Sequence, residues 1–511
     1  MTLIPVRQLG ERGVNADSPA YELQINEFSQ AQNVRFSNGA AQTMPAPVSI
    51  ESLADVPVWG TGWIANETPQ LAYASASRLY FRENESFVDR TGAAFTDGGY
   101  TGSDWHSTTW GESVIFNNGV DVPQIKGPND IAFIDLPNWP SDLRADCVRP
   151  YKNFLIALGV IEGGVEYPNT VRWSDEAEPG AVPETWDVAD TSNLAGANPI
   201  DSGASKLVDC LPMGSANIVY SRDATYLMQL VGGEYVFSFE TIFDQGILCR
   251  DAVAAFDRQH FVVGATEIFV HDGLSIRPMA HRRVNRTFYG ELGQRESVRC
   301  VTNHKTKEIW TIYSTNAEGP ANRALVYNWL DDTFTFCDLP KVHCAFFAAK
   351  AGEVITFDDL DAMGVSFSDL NLTFGELTDT SYFPVMYYLT DTDLMETDFL
   401  ATGDATQSVY LERSGIDLDQ VLPQAAGRLK SLRRIIPQFS GVGQVKITVG
   451  GAKTATGPVR WKNPKVFDVA SGLDLHFRIK ARYLAIKVES VSGGFWRLTG
   501  WDLDLMPADG R

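Results

Sequence analysis

A pair of short apolar strands recurs down this 511-residue chain, and its spacing limits the folds open to it. The first copy reads Leu71-Ala72-Tyr73 then Leu79-Tyr80-Phe81. Val114-Ile115-Phe116 and Phe154-Leu155-Ile156 follow. Later copies are Ile218-Val219-Tyr220 with Tyr226-Leu227, Phe261-Val262-Val263 with Ile268-Phe269-Val270, and Ile309-Trp310-Thr311 with Leu325-Val326-Tyr327. The starts at 71, 114, 154, 218, 261 and 309 lie 43, 40, 64, 43 and 48 residues apart. A strand-built period of about 40–50 residues marks the four-stranded blade of a propeller. The expected fold class is all-β: a β-propeller with an inserted acidic segment and a C-terminal antiparallel β-sandwich-like domain. A propeller hosts many functions, so function has to be read from sites.

Four regions are expected. Residues 1–50 form a lead-in, where Asn33-Val34-Arg35-Phe36 and Ser37-Asn38-Gly39 read as a strand and tight turn that would close the ring against a late blade. Residues 51–352 hold the blades, with a long insertion over 162–206. Residues 353–423 form an acidic insertion or docking segment; 353–422 hold fifteen Asp or Glu and one basic residue, Arg413. Residues 424–511 form a basic C-terminal β-domain, of which 424–498 hold fourteen Lys or Arg and three acids. There Leu473, Leu475, Phe477 and Ile479 alternate with Asp474, His476, Arg478 and Lys480, the period of strands with one dry face. The best helical stretch is 283–299, weakened by two glycines.

The net charge of −22 argues against a nucleic-acid surface spread over the whole molecule. The N-terminus lacks the basic and apolar regions of a secretory signal, and no apolar run is long enough for a membrane span, so synthesis in a cytoplasm is expected. The six cysteines are widely spaced, without a Cys-x-x-Cys pair, and read as structural thiols. No nucleophile elbow, Walker loop or dinucleotide fingerprint occurs. His260, His281 and His304 lie in or beside strands and read as structural. The nearest approach to a sialidase box, Ser103-Asp104-Trp105-His106-Ser107-Thr108-Thr109-Trp110, lacks the glycine and occurs once. Asp391/Asp393 and Asp358/Asp359/Asp361 read as a solvated acidic face. No catalysis, metal or cofactor is expected. The rival reading is a propeller-type glycan depolymerase or hydrolase of a phage tail, which glycan cleavage abolished by one carboxylate change would favour.

Contact residues are expected where the strand rhythm breaks. Trp173, Asp175 and Trp186 sit in the long insertion. Arg428, Lys430, Arg433 and Arg434 form a basic cluster, joined by Arg478 and Lys480 on an alternating strand. That cluster fits either nucleic-acid phosphates or an acidic partner surface, and the fifteen carboxylates just upstream favour the second.

The order Trp173-Ser174-Asp175, Pro179-Gly180, Pro183, Trp186-Asp187, Ser192-Asn193-Leu194-Ala195-Gly196 resembles a pattern of tail proteins of short-tailed bacteriophages. The ending Arg482-Tyr483-Leu484-Ala485-Ile486-Lys487 to Trp496-Arg497-Leu498-Thr499-Gly500-Trp501-Asp502-Leu503-Asp504-Leu505 does so too. Together with the lead-in they resemble the packaged-DNA stabilisation, or tail hub and nozzle, proteins of podoviruses. The resemblance spans about 30–350 and 425–505. It implies a virion tail protein in a hexameric ring, meeting portal and adaptor proteins and tail fibre, spike or needle proteins. It implies double-stranded DNA passing without sequence specificity. No residue-level site carries over. An acidic lumen would let DNA slide where a basic one would grip it.

Overall fold

The structure, a computed structural model, describes residues 2–92, 99–101, 104–200, 205–232, 235–350, 383–402, 408–418, 427–491 and 493–507. Six antiparallel sheets follow one another along the chain, beginning at Pro57–Ala65, His106–Trp110, Leu143–Tyr151, Leu207–Met213, Val253–Phe256 and Arg299–Asn303. Each is a blade, and the recurring apolar motif falls on its second strand: Thr68–Ser75, Ser113–Asn117, Phe154–Glu162, Ala216–Ser221, Gln259–Val263 and Glu308–Tyr313. These strands are apolar on both faces because each is sandwiched between neighbouring blades. Tight hairpins join several of the blade strands. Asn66-Glu67, Asn84-Glu85 and Asp257-Arg258 all take positive φ, the geometry of a two-residue turn that matches strand twist.

A seventh blade completes the ring. The 18-residue strand Thr333–Lys350 ends blade 6 with its first half, paired to Ala321–Asn328, and starts blade 7 with its second half, paired to Phe383–Thr390. Asp393–Thr402 is the third strand. The fourth comes from the lead-in: Pro45–Ser52 pairs antiparallel with Asp393–Thr402. Val342–Lys350 packs beside Pro57–Ala65 of blade 1, which closes the circle.

This arrangement differs from the expected bounds in two ways. The lead-in does close the ring, but with Pro45–Ser52. The strand and turn at 33–39 instead form the hairpin Val34–Ser37/Ala40–Thr43, which joins the C-terminal domain through Ala41 and Gln42 opposite Leu498 and Arg497. The propeller also runs past 352, because Phe383–Thr402 supplies two blade strands. Val385-Met386-Tyr387-Tyr388-Leu389 repeats the buried motif, but it lies 76 residues beyond the copy at 309, so the insertion hides its rhythm. Much of the acidic stretch, 351–382, 403–407 and 419–426, lies outside the described residues, with Asp358, Asp359 and Asp361 among it. The expected helix is present as the short Asn285–Glu291.

The C-terminal domain is a two-layered antiparallel sandwich. One layer orders Leu475–Ala481, Lys430–Gly441 and Trp496–Pro507, edged by Thr2–Arg7 and the 34–43 hairpin. The other holds Tyr410–Ile416, Tyr483–Ser490 and Gln444–Ala452. The predicted alternation holds at Phe477 and Ile479, buried between exposed His476, Arg478 and Lys480, whereas Leu473 is exposed. The lead-in cements the two domains. Phe28 stacks on Phe36 at 5.7 Å and meets Trp501 edge-on at 6.4 Å, within one apolar core running from blades 4–6 into the sandwich.

Candidate functional site

The first strands of the blades line the propeller axis, and side-chain and backbone contacts join them into a circuit. Trp59 of blade 1 donates from Nε1 to Ser107 Oγ of blade 2 at 2.8 Å. Arg149 of blade 3 donates to the Ser107 carbonyl at 3.3 Å, to Asp209 of blade 4 at 3.0 and 3.2 Å, and to Asp251 at the entry to blade 5 at 2.6 Å. The Asp251 carbonyl accepts from Cys300 N–H of blade 6 at 2.7 Å. Arg299 donates to the His343 carbonyl of blade 7 at 2.9 Å and lies 4.3 Å over the Trp59 ring of blade 1. Burial alone would raise the Asp209 carboxyl, but Arg149 outweighs it and holds it below the usual range. Each charged group on this circuit is matched by a neighbouring blade, so its chemistry is that of a clamp.

A second polar chain joins blades 4 and 5. Gly273 N–H donates to His271 Nδ1 at 3.3 Å, which places the ring proton on Nε2. His271 Nε2–H then donates to Tyr220 Oη at 2.7 Å, Tyr220 donates to His260 Nδ1 at 2.7 Å, and His260 Nε2–H donates to the Pro212 carbonyl at 3.1 Å. All three side chains are buried and both histidines neutral. Burial lowers His260 to about 4, and burial with the His260 neighbour lowers His271 to about 3. The structural reading of His260 fits this geometry. Cys147, Cys210, Cys249, Cys300, Cys337 and Cys344 are all free thiols.

The expected contact residues divide into buried and exposed sets. Trp173 is buried in blade 3 against Phe237, donates to the Leu194 carbonyl at 2.8 Å, and covers Gly196. Asp175 accepts from Leu194 N–H at 2.8 Å and so pins the same loop. Trp186 is buried edge-on to Trp139 at 4.7 Å, in the seam between blades 2 and 3. These three build the insertion and present no indole to a partner. Lys430 is 1% exposed and donates to Asp417 at 2.6 Å and to the carbonyls of Arg482 and Arg428 at 2.7 and 3.1 Å. It is a structural cation. Arg434 donates to Asp474 at 3.2 Å. Arg428 is exposed, beside the segment 419–426.

Arg433, Arg478 and Lys480 do come together. They project from the solvent face of Lys430–Gly441 and the edge strand Leu475–Ala481 into a groove of about 1170 Å³. Its far wall is Trp461, Lys462, Asn463 and Lys465, on the short strands Arg460–Trp461 and Lys465–Asp468 that pair back with Gln444–Ala452 and on the turn between them. Among the described residues no Asp or Glu lines it. Trp461, 38% exposed, lies across Gly450, where an added Cβ would come within 2.7 Å of the indole. Lysines on an edge strand also discourage stray strand pairing, but that role does not call for a facing wall of two more lysines and a tryptophan. The far wall was missed in the sequence because residues 461–465 show no strand period; the only signal was Trp-Lys-x-x-Lys.

One face of the propeller carries a different surface. The turn between third and fourth strands falls on the same face in each blade, since every blade reverses direction three times. Those turns end in exposed Ile131 of blade 2, Val231 and Tyr235 of blade 4, Leu274 of blade 5 and Leu330 of blade 6. Among the described residues no helix is long and apolar enough to cross a membrane.

No protein-family model matches the sequence, and no curated protein does. Among solved structures the chain is similar to Kluyvelomyces marxianus Hsv2, at 10% identity and a TM-score of 0.29, over 48% of this chain and 71% of that one. It is also similar to the extracellular domain of a hybrid two-component system of B. thetaiotaomicron, at 8% identity and a TM-score of 0.40, over 89% of this chain and 58% of that one. The propeller assignment rests on the strand pairing itself.

Proposed function

We propose that this chain is a structural protein of a short-tailed phage tail, a hub or nozzle protomer that assembles into a ring, helps retain packaged DNA and forms part of the ejection conduit. The observation that supports this most is the face bearing Ile131, Val231, Tyr235, Leu274 and Leu330. Bare aliphatic and aromatic tips repeated at equivalent turns are costly in water and suit a surface that is covered in an assembly. The build of the interior agrees with this. Polar groups on the axis bridge blade to blade, so the propeller serves as a rigid block. DNA would pass through the bore of a ring of subunits and not through one propeller. The virion tail is the implied location, with portal, adaptor and fibre or spike proteins as neighbours, and the work is done without catalysis.

Particle images of the purified protein, alone and mixed with portal and adaptor, test the reading. A closed ring that docks under the portal is expected. A stable monomer with no affinity for either partner would overturn it.

A further inference from the structure

We propose that the basic groove of the C-terminal sandwich receives the acidic segment 353–379 of a neighbouring copy of this chain. The inference rests on the assembly reading above and supplies the contact that would hold the ring.

The groove asks for an anion. Among the described residues, Arg433, Lys462, Lys465, Arg478 and Lys480 line it without a carboxylate, and none of the five has an ion-pair partner there. Like charges gathered this closely repel one another, and an anion laid among them relieves that cost. The groove also asks for something apolar. The indole of Trp461 is held on one side by Gly450 and is partly open to solvent. A ligand that interleaves carboxylates with apolar side chains satisfies both demands.

The chain encodes such a ligand. Residues 353–379 hold seven Asp or Glu and no Lys or Arg, with Phe357, Phe367 and Phe374 spaced among them. The segment leaves and rejoins the fold at Lys350 and Phe383, which face each other on adjacent strands of blade 7. Those two anchoring residues belong to blade 7 of the propeller, whereas the groove belongs to the sandwich. A contact between two different patches on successive copies is heterologous, the kind that closes into a ring. Nucleic-acid phosphate is the competing anion. Phosphate matches the groove by charge alone, whereas the segment also brings phenylalanines to the open indole of Trp461. Every copy in an assembly, by contrast, brings one acidic segment to each groove.

The test uses the full chain and light scattering at low salt. Arg433→Glu with Arg478→Glu, both exposed, should dissociate the assembly, as should Asp358→Lys with Asp359→Lys and Asp361→Lys. Combining both sets in one chain should restore it. A labelled peptide of residues 353–379 should bind the wild-type protein, bind the Arg433→Glu/Arg478→Glu variant about tenfold more weakly or worse, and bind less at higher salt. Unchanged mass in both charge-reversed variants would overturn the proposal. So would a duplex oligonucleotide that binds the groove while the peptide does not. The hub reading fails separately, if the wild-type ring has no affinity for portal or adaptor.

Discussion

Arg35 and Glu308 form a buried ion pair between the lead-in and blade 6, with Nε 2.6 Å from Oε1 and Nη2 donating to Oε2 at 3.0 Å. Glu308 also accepts from Trp310 Nε1 at 3.2 Å and Thr306 Oγ1 at 3.0 Å. The pair links the 34–43 hairpin on the sandwich sheet to blade 6, so it reports on the coupling of the two domains.

Removing one partner leaves the other charge stranded. Arg35→Ala is expected to destabilise the protein by about 3–5 kcal/mol, read from denaturant midpoints. Arg35→Met with Glu308→Gln should recover most of the loss, because no buried charge remains and the amide oxygen can still accept from Trp310 and Thr306. Equal stability of Arg35→Ala and wild type would contradict the account.

The neutral histidines set a pH dependence with a definite sign. His260 and His271 have folded pKa values near 4 and 3, below the ordinary value of 6.5. His106 is also held well below it, first by burial and then by Arg250 and Arg149. Above pH 6.5 these groups are neutral in both states and their contribution is complete. As pH falls from 6.5 towards the folded values, the unfolded chain takes up protons that the folded chain refuses. Stability should therefore fall, by up to about 1.4 kcal/mol per pH unit for each histidine. Asp209 acts in the same direction but only below its ordinary 3.8, so midpoints between pH 6.5 and 4.5 isolate the histidines. A flat profile in that window would rule the mechanism out.

Trp186 fills the seam between blades 2 and 3. Trp186→Ala should cost about 3–5 kcal/mol by leaving a cavity beside Trp139. Because the indole is buried, the folded variant should assemble like the wild type in light scattering. Loss of assembly at undiminished stability would restore Trp186 as a contact residue.

Pro45–Ser52 covers the edge of Asp393–Thr402. Removing residues 2–52 should open blade 7, bare a strand edge and take away the cement of the sandwich. Aggregation on size exclusion and early thermal unfolding are the expected outcomes. A monodisperse, equally stable truncated chain would mean the closure is dispensable.

Six of the seven blades were legible because second strands are buried on both faces, and two-sided burial writes an unbroken apolar run at a regular spacing. Blade 7 was not, since its strands come from three places in the chain. The groove was half legible: Arg433 stands out in a basic cluster and Arg478 and Lys480 by alternation, but Lys462 and Lys465 join them only because the chain after Ala452 turns back to pair with Gln444–Ala452. Lys430 and Trp186 misled for the opposite reason. A cation among cations and a tryptophan in a loop both look exposed until folding supplies Asp417 for one and Trp139 for the other.

The amino-acid sequence by itself determined the strands, their hairpins, the blade period and the reversal of charge between the acidic stretch and the C-terminal domain. These depend on neighbours a few residues apart, where side-chain alternation and turn chemistry act directly. Only the tertiary structure decided that the ring closes through Pro45–Ser52, that Arg149 and Asp209 clamp the axis, and which of the basic residues remain in water. Those outcomes depend on which distant group arrives opposite each side chain, and a buried charge or ring is stable only once that partner is in place.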